Sequence, residues 1–213
     1  MSAAGVRESG GQVELLDLPD PHRPGPDEVV IEGETLLVHG AGGTTGGLIV
    51  QLAALRGARV IASAGPSNVA RVAQAGAAEV VDYHDSGWPD RVRELTCGAG
   101  VDAAVNVVCG GSADTILALQ EGGRMATITG DPPAADRGIS VADVYVRPDA
   151  TQLAELCALL GDGRLPLSVG SALPLAEAAT ALERAIAGGN GGPVVLQVRR
   201  GRLSEFVPSG LER

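Results

Sequence analysis

The feature that most constrains the fold of this chain is a regular alternation of short apolar runs and helix-like segments between residues 33 and 130. The apolar runs have the length of β-strands and stand at residues 35–39, 59–62, 79–82, 103–108 and 124–129. Segments of helical spacing or composition separate them, at residues 48–55, 69–75, 89–96 and 113–120. Such apolar strands are buried on both faces, as in a parallel sheet with helices on each side. The alternation therefore predicts an α/β fold with a doubly wound, Rossmann-type parallel sheet.

The flanking segments carry a less regular pattern. Their periodicity predicts a strand at residues 141–146, a helix at 151–160, a strongly amphipathic helix at 175–187 and a closing strand at 193–198. Residues 1–32 hold a Pro/Gly-rich stretch between two short extended pieces, and residues 199–213 are polar. The predicted organisation is a short N-terminal piece at 1–32, one α/β domain at 33–198 and a C-terminal tail at 199–213.

Charge and hydropathy exclude several classes of partner. The net charge is −10, and no basic stripe or aromatic platform offsets it, which argues against binding to nucleic acid. No apolar run has the length of a membrane span, and the first residues lack the basic and apolar blocks of a signal peptide. We therefore expect a cytoplasmic protein that is not bound to a membrane.

Lysine chemistry and metal chemistry have little support in the sequence. All 16 positive side chains are arginines, which excludes a Schiff-base lysine or a lysine general base. The residues that bind transition metals are few and widely spaced, with no CxxC pair: Cys97, Cys109, Cys157, His22, His39 and His84. The sequence predicts reduced thiols and no metal site.

A glycine-rich run, HGAGGTTGGL at residues 39–48, joins the first predicted strand to the first predicted helix. Glycine lets the backbone turn tightly and approach a pyrophosphate, whose charge the helix N-terminus attracts. A tight turn also uses glycine for steric reasons alone, but the position within a βαβ unit favours cofactor binding. The threonine hydroxyls in the run are equally suited to binding phosphate and to capping the helix. The predicted cofactor contacts of this run are Gly40, Gly43, Thr44, Thr45 and Gly46.

The segment GETLLVHGAGGTTG at residues 33–46 resembles AGETVLVHGAAGGVG of the zinc-independent medium-chain quinone oxidoreductases, a branch of the medium-chain dehydrogenases/reductases. Further matches follow in order at residues 51–53, 57–62, 76–83, 93–96, 100–102, 122–124, 146–148, 174–178 and 192–196. The resemblance implies a dinucleotide-binding domain, a small-molecule substrate and a homodimer paired through the sheet edge near residues 141–146.

Residues 1–32 also resemble the opening of that family. In the family, a GroES-like substrate domain separates this opening from the glycine run, whereas here residue 32 leads directly into residue 33. The resemblance therefore implies that most of the substrate domain is missing and that residues 1–32 are its remnant.

Cofactor preference depends on the end of the second strand, where residues 62–64 include no acidic side chain to hold a ribose diol. Asn68 stands where the family often places a lysine for the 2′-phosphate of NADP. Ser63, Ser67, Asn68 and Arg71 are the available substitutes, and Ser63 and Asn68 are the predicted contacts. The resemblance thus implies NADP rather than NAD, with reduced affinity as an open alternative.

Residues at the carboxyl ends of the last predicted strands are candidates for chemistry, because open α/β sheets bind ligands there. The family's Asp-Thr-Val-Gly is replaced by NVVC at residues 106–109, and the resemblance places this segment beside the nicotinamide. Asp131 and Tyr145 are the predicted acid–base residues, with Asp143 as an alternative to either. The predicted cofactor contacts at this edge are Asn106, Val108, Cys109 and Thr129.

Three functions remain open at this point. The first is a NADPH-dependent oxidoreductase that reduces an enone, quinone or carbonyl substrate. The second is a redox-neutral cyclase, isomerase or dehydratase that acts on a natural-product intermediate, motivated by the missing domain and the missing 2′-phosphate lysine. The third is a non-catalytic module that binds a nucleotide or a partner, since a fold alone does not determine function.

Overall fold

The structure is a computed structural model that describes residues 33–188 and 192–198, together with the backbone of two strands near the N-terminus. These strands, β1 (Ser2–Gly5) and β2 (Glu14–Asp17), pair antiparallel with each other. The prediction that residues 1–32 are a remnant of a substrate domain lies mostly outside the described residues, and the predicted tail at 199–213 lies outside them entirely.

A six-stranded parallel sheet organises the chain, in the order β5-β4-β3-β6-β7-β8. Its strands are β3 (Thr35–His39), β4 (Arg59–Ser63), β5 (Glu79–Val81), β6 (Val101–Asn106), β7 (Leu119–Thr127) and β8 (Ser140–Asp143). The chain starts in the middle, moves outward through β4 and β5, and then returns to the other side of β3 through β6. The predicted doubly wound α/β fold is confirmed, and the switch beside β3 opens a crevice at the carboxyl ends of the strands.

Helices cover both faces of this sheet. The helices between its strands are α1 (Thr44–Leu55), α2 (Val69–Gln74), α3 (Trp88–Leu95) and the short α4 (Ser112–Thr115). On one face, Leu36 and Val38 of β3 pack in a buried cluster with Val50 of α1. On the other face, Leu37 packs in a second cluster with Trp88 of α3. Successive residues of β3 thus serve opposite cores, which explains why the strand is apolar at every position.

The remaining described elements form a C-terminal part. They are α5 (Ala150–Gly161), β9 (Ser171–Pro174), α6 (Ala178–Ala187) and β10 (Val194–Gln197). β9 and β10 pair parallel as a separate two-stranded sheet, and α6 packs on both strands. The predicted helix at 151–160 and the closing strand at 193–198 are confirmed, whereas β9 was not predicted.

Several predicted elements differ in length from the observed ones, and in two of them long-range pairing gives the reason. The predicted helix at 113–120 is shortened to α4 and one 3₁₀ turn, because β7 already begins at Leu119, where it pairs with Val101 across a register shift. The predicted strand at 141–146 ends at Asp143. The N–H of the next residue, Val144, still donates to the Thr127 carbonyl at 2.8 Å, and the chain leaves the sheet beyond it. Local periodicity contains no information about either long-range pairing.

Candidate functional site

A cleft of about 800 Å³ lies at the carboxyl ends of β3, β4 and β6, where the strand order reverses. The glycine run forms its floor, and the chain that follows β6 supplies Val107, Val108 and Cys109. Asn68 and Tyr83 line the cleft near β4 and β5, and α6 contributes residues from the C-terminal part. Its size lies within the range of about 300–1,000 Å³ that is usual for small-ligand sites.

The glycine run is shaped by packing at Gly40 and Gly46. A Cβ on Gly46 would lie 2.7 Å from the carbonyl carbon of Gly40 and 2.8 Å from the Cα of Ala41, so the start of α1 touches the turn backbone to backbone. Gly40 has φ +90°, and a Cβ there would meet Val107 and Val108 within 2.8 Å. Glycine is therefore required at both positions, independently of any ligand.

Gly43 differs from these two glycines, because its missing side chain leaves open space. A Cβ at Gly43 would meet the Gly40 carbonyl oxygen at 3.5 Å, an ordinary contact distance. Gly43 is the residue before α1, is exposed and lines the cleft. Packing does not demand glycine here, whereas a ligand that approaches the backbone would.

The first turn of α1 presents backbone donors to the cleft. Gly47 N–H donates to the Gly43 carbonyl at 3.0 Å, so the N–H groups of Thr44, Thr45 and Gly46 precede the first intrahelical bond. Within the described part of the chain, no side chain caps this helix. The two threonines lie inside the first turn and line the cleft, so the capping interpretation of their hydroxyls is wrong.

Ser63 and His39 lie beneath the glycine run. The Ser63 side chain is buried, and its hydroxyl lies 2.6 Å from His39 Nδ1 and accepts from the Gly40 N–H at 3.2 Å. His39 stacks on Trp88 with the ring centroids 4.7 Å apart. Burial lowers the pKa of His39 and the charge of Asp114 acts in the opposite direction with the smaller effect, so the neutral imidazole is favoured. These contacts fix the turn from below, and a contact of Ser63 with the cofactor stays a prediction.

Arg71 on α2 connects that helix to the glycine run. One of its Nη atoms donates to the Gly42 carbonyl and, at 2.8 Å, to Asn68 Oδ1. The Asn68 side chain faces Gly42 closely, since a Cβ on Gly42 would lie 3.2 Å from its Nδ2. The place where the family often has a lysine is thus occupied by an amide that is held against a guanidinium.

Asn106, at the end of β6, is fully buried and bends the chain that lines the cleft. Its Nδ2 donates to the Val108 carbonyl at 3.0 Å and to Ser112 Oγ at 2.9 Å, and its Oδ1 accepts from the Val108 N–H at 3.1 Å. A side chain that bonds to the backbone two residues further on ends the strand at this point. Asn106 therefore positions Val108, although its own side chain does not line the cleft.

Asp131 follows β7 and joins the same polar network. Its carboxylate accepts from the Thr129 hydroxyl, from Ser112 Oγ at 3.0 Å and from the Gly110 N–H at 2.8 Å. The hydrogen bond from Thr129 is the largest cause of a lowered pKa, so the group is held as a carboxylate. Neither Asp131 nor Thr129 lines the cleft, and their predicted roles in catalysis and cofactor binding stay predictions.

Tyr145 and Asp143 lie at the outer edge of the sheet, where β8 ends. The Tyr145 side chain is 72% exposed, and a hydrogen bond with Asp143 raises the pKa of its phenol. Tyr145 is absent from the described lining of the cleft, so its acid–base role also stays a prediction.

Most of the predicted cofactor contacts do meet in one place. The cleft brings together Gly40, Gly43, Thr44, Thr45, Gly46, Asn68, Val108 and Cys109. Sequence reasoning missed the contribution of the end of α6 to the lining, with Ala185, Ile186 and Gly188, whereas Val107 belongs to the segment 106–109 that the resemblance placed at the site. The available signal for α6 was its amphipathic pattern, which indicated an apolar face but not what that face approaches.

Comparison with known proteins identifies the protein family to which the chain belongs. A family profile described as zinc-binding dehydrogenase matches residues 75–196. The chain belongs to this family. The predicted resemblance to zinc-independent medium-chain quinone oxidoreductases is thereby confirmed, with relatives of the same kind among curated proteins and solved structures.

Two curated relatives illustrate the similarity. Trans-enoyl reductase ACTTS2 of Alternaria alternata is 35% identical over 101 residues, which cover 47% of the chain and 29% of the relative. Quinone oxidoreductase of Pongo abelii is 27% identical over 170 residues, which cover 73% of the chain and 52% of the relative. The chain thus spans about half or less of the curated relatives that it matches.

Two solved structures share the fold. The crystal structure of an NAD-dependent alcohol dehydrogenase has a TM-score of 0.72 and 34% identity, over 80% of this chain and 52% of that one. The native structure of mycobacterial Rv1454c complexed with NADPH has a TM-score of 0.65 and 29% identity, over 78% of this chain and 57% of that one. A nicotinamide cofactor is named for both proteins: NAD for the first and NADPH for the second.

The described residues do not fit a zinc site, despite the description of the family. Among residues 33–188 and 192–198, no three His, Cys, Asp or Glu side chains come close enough together to hold a metal ion. We therefore derive no chemistry through zinc. In the same part of the chain, no helix combines the length and apolar character needed to cross a membrane.

Proposed function

We propose that the chain is a NADPH-dependent oxidoreductase that reduces an enone, a quinone or a carbonyl compound. The cleft carries this proposal, because its glycine run and α1 donors meet the apolar residues 107–109 within one volume of about 800 Å³. One polar half and one apolar half suit a ligand with a diphosphate and an uncharged ring. Relatives named trans-enoyl reductase and quinone oxidoreductase, and a similar structure complexed with NADPH, support the same function.

The loop residues fit a nicotinamide dinucleotide. The open space at Gly43 leaves room for a phosphate beside the backbone, and the N–H groups of Thr44, Thr45 and Gly46 would hold its charge. When bound, NADPH supplies the hydride. Val108 and Cys109 would exclude water from the ring, in a wall that Asn106 holds in place.

NADP rather than NAD is proposed from the side chains at the end of β4. An acidic residue there would accept hydrogen bonds from a ribose diol and would repel a 2′-phosphate, and residues 62–68 contain none. Asn68 lines the cleft and Arg71 bonds to it, so a guanidinium stands next to the adenosine end. A 2′-phosphate would gain a charge-assisted hydrogen bond at this position.

Acid–base roles for Asp131 and Tyr145 complete the proposal and are tested by Asp131→Asn and Tyr145→Phe. Loss of a positioned proton donor or acceptor lowers kcat by about 10²–10⁴ and removes a limb from the pH–rate profile. A positioning role leaves the shape of that profile unchanged. An unchanged kcat in Tyr145→Phe would remove Tyr145 from the mechanism.

Sheet-edge pairing is proposed for the oligomer. β8 is an outer strand of the six-stranded sheet, and Val144, Tyr145 and Val146 beyond it are exposed. An edge strand with exposed apolar neighbours is a ready template for pairing with a second copy. We infer a homodimer through residues 141–146.

The decisive experiment is calorimetric titration of the full chain with NADPH and, separately, NADH, followed by a panel of enones and quinones. The expected result is binding of NADPH with a micromolar Kd, and oxidation of NADPH at 340 nm in the presence of at least one member of the panel. Absence of binding by both nucleotides would overturn the proposal.

A product formed without any nucleotide would favour the redox-neutral alternative. Such a product would have the mass of the substrate or that mass less one water. Strict dependence on NADPH would exclude this alternative, and binding without turnover on every substrate would favour the non-catalytic module.

A further inference from the structure

The end of α6 forms part of the cleft that holds the glycine run. Ala185, Ile186 and Gly188 line the same volume as Gly40, and α6 is held in place by β9 and β10. Nothing in the sequence resemblance assigned this helix to the nucleotide site.

Ile186 is unusually exposed for a large apolar residue at the wall of a cleft. Its side chain is 78% exposed, although it faces the volume that the glycine run also lines. Exposed apolar surface beside a concave site gains free energy when a ligand covers it. Because Gly43 and the first turn of α1 lie in the same cleft, the ligand that fits this position is the dinucleotide itself.

The C-terminal end of α6 reaches the cleft without filling it. Gly188 follows the helix with φ +70°, a conformation that favours glycine, and a Cβ at this position would meet no atom within 4 Å. The helix therefore stops at the cleft, and the residue that ends it contributes only backbone to the lining.

We propose that α6 is a wall of the nucleotide site and that Ile186 makes apolar contact with the bound dinucleotide. The inference rests on the proposed function. It assigns to the C-terminal part of this chain the task of covering the nucleotide, and it makes Ile186 a determinant of nucleotide affinity within a single chain.

Leu182 provides a matched control. It lies one helical turn before Ile186 on α6, is apolar and 63% exposed, and does not line the cleft. We expect Ile186→Ser to weaken NADPH binding about fivefold in calorimetry, as covering roughly half of an isoleucine side chain predicts. Leu182→Ser should bind NADPH as the unsubstituted chain does. Because both side chains are exposed, neither change should lower Tm appreciably.

Protection from alkylation tests the contact independently of affinity. In Ile186→Cys and Leu182→Cys, each cysteine is followed by peptide mass spectrometry during reaction with iodoacetamide, with and without saturating NADPH. The native Cys109 lines the cleft, whereas the exposed Cys157 of α5 does not, so they serve as internal references. NADPH should slow the reaction of the cysteine at 186 and of Cys109, and should leave the cysteine at 182 and Cys157 unchanged.

The outcomes separate this inference from the proposed function. Equal NADPH affinity for Ile186→Ser and the unsubstituted chain, together with unprotected labelling at 186, would overturn the role of α6 while leaving the proposed function intact. Absence of NADPH binding by the unsubstituted chain would overturn both.

Discussion

Gly46 and Gly47 are adjacent glycines with opposite structural demands. A Cβ on Gly46 would lie 2.7 Å from the Gly40 carbonyl carbon, whereas a Cβ on Gly47 would meet its nearest atoms, from Ala41 and Arg71, at 3.6 Å. We expect Gly46→Ala to cost about 1–3 kcal/mol of unfolding free energy and to abolish nucleotide binding, because α1 must move away from the turn.

Gly47→Ala is the matched control in the same turn of α1. Alanine is favoured over glycine in a helix by about 0.5–1 kcal/mol, so this change should leave binding intact and slightly raise Tm. Thermal unfolding and NADPH calorimetry of both variants provide the measurement. Similar losses in the two variants would contradict the packing described for Gly46.

Arg71→Gln tests the choice between the two nucleotides. Removing one charge-assisted hydrogen bond, of about 1.5 kcal/mol, should weaken NADPH binding about tenfold and leave NADH binding nearly unchanged. Arg91→Gln, on the exposed face of α3, removes the same charge where the guanidinium pairs with Glu94, and should change neither affinity. If Arg71→Gln weakened both nucleotides equally, the guanidinium would serve the Gly42 carbonyl and not the 2′-phosphate.

The lowered pKa of Asp131 makes the folding stability of the chain depend on pH. A carboxyl whose folded pKa lies below its unfolded value contributes stability above the unfolded pKa and loses it as the pH falls through the folded pKa. Asp131→Asn should therefore lower Tm at neutral pH, and the difference from the unsubstituted chain should shrink below the ordinary pKa of aspartate, about 3.9. Asp162→Asn, exposed at the end of α5, controls for loss of charge. A Tm difference that is constant with pH would refute this account.

At the scale of elements, the outer edge of β8 is the place where we propose that two copies of the chain pair. Val144→Lys places a charge where the chain leaves the sheet, at a side chain that is 45% exposed, and should convert the expected dimer to a monomer. Leu153→Lys, 61% exposed on α5, is the control and should leave a dimer. Sedimentation velocity at micromolar concentration gives the answer. A monomeric unsubstituted chain would contradict edge pairing.

The elements that were predicted well from the sequence are those in which the pattern of apolar residues directly reflects burial. Leu36, Leu37 and Val38 are apolar at consecutive positions because β3 is buried on both faces, so the pattern alone identifies a central parallel strand. β9 escaped prediction because its four residues show no such run and depend on pairing with β10. The place of Ile186 at the cleft is tertiary information, since an amphipathic helix does not specify its neighbour.

For the whole molecule, the buried core is concentrated in the six-stranded sheet. In the described C-terminal part, the buried apolar side chains are Leu165, Leu173 and Ala181, and α5 buries none. We expect amides of α5 and α6 to exchange with deuterium at least about tenfold faster than those of β3. Saturating NADPH should slow exchange in α6 more than in α5. Equal protection of α5 and β3 would contradict this division.

The glycine run is restrained from three sides by contacts within the chain itself. Ser63 accepts from the Gly40 N–H, Arg71 donates to the Gly42 carbonyl, and Gly46 packs on the backbone of the turn. In kinetic terms, we expect a nucleotide to meet a surface that needs no prior rearrangement. Its capture should be a single second-order step whose observed rate rises linearly with concentration, and differences in affinity among variants should appear in the lifetime of the complex.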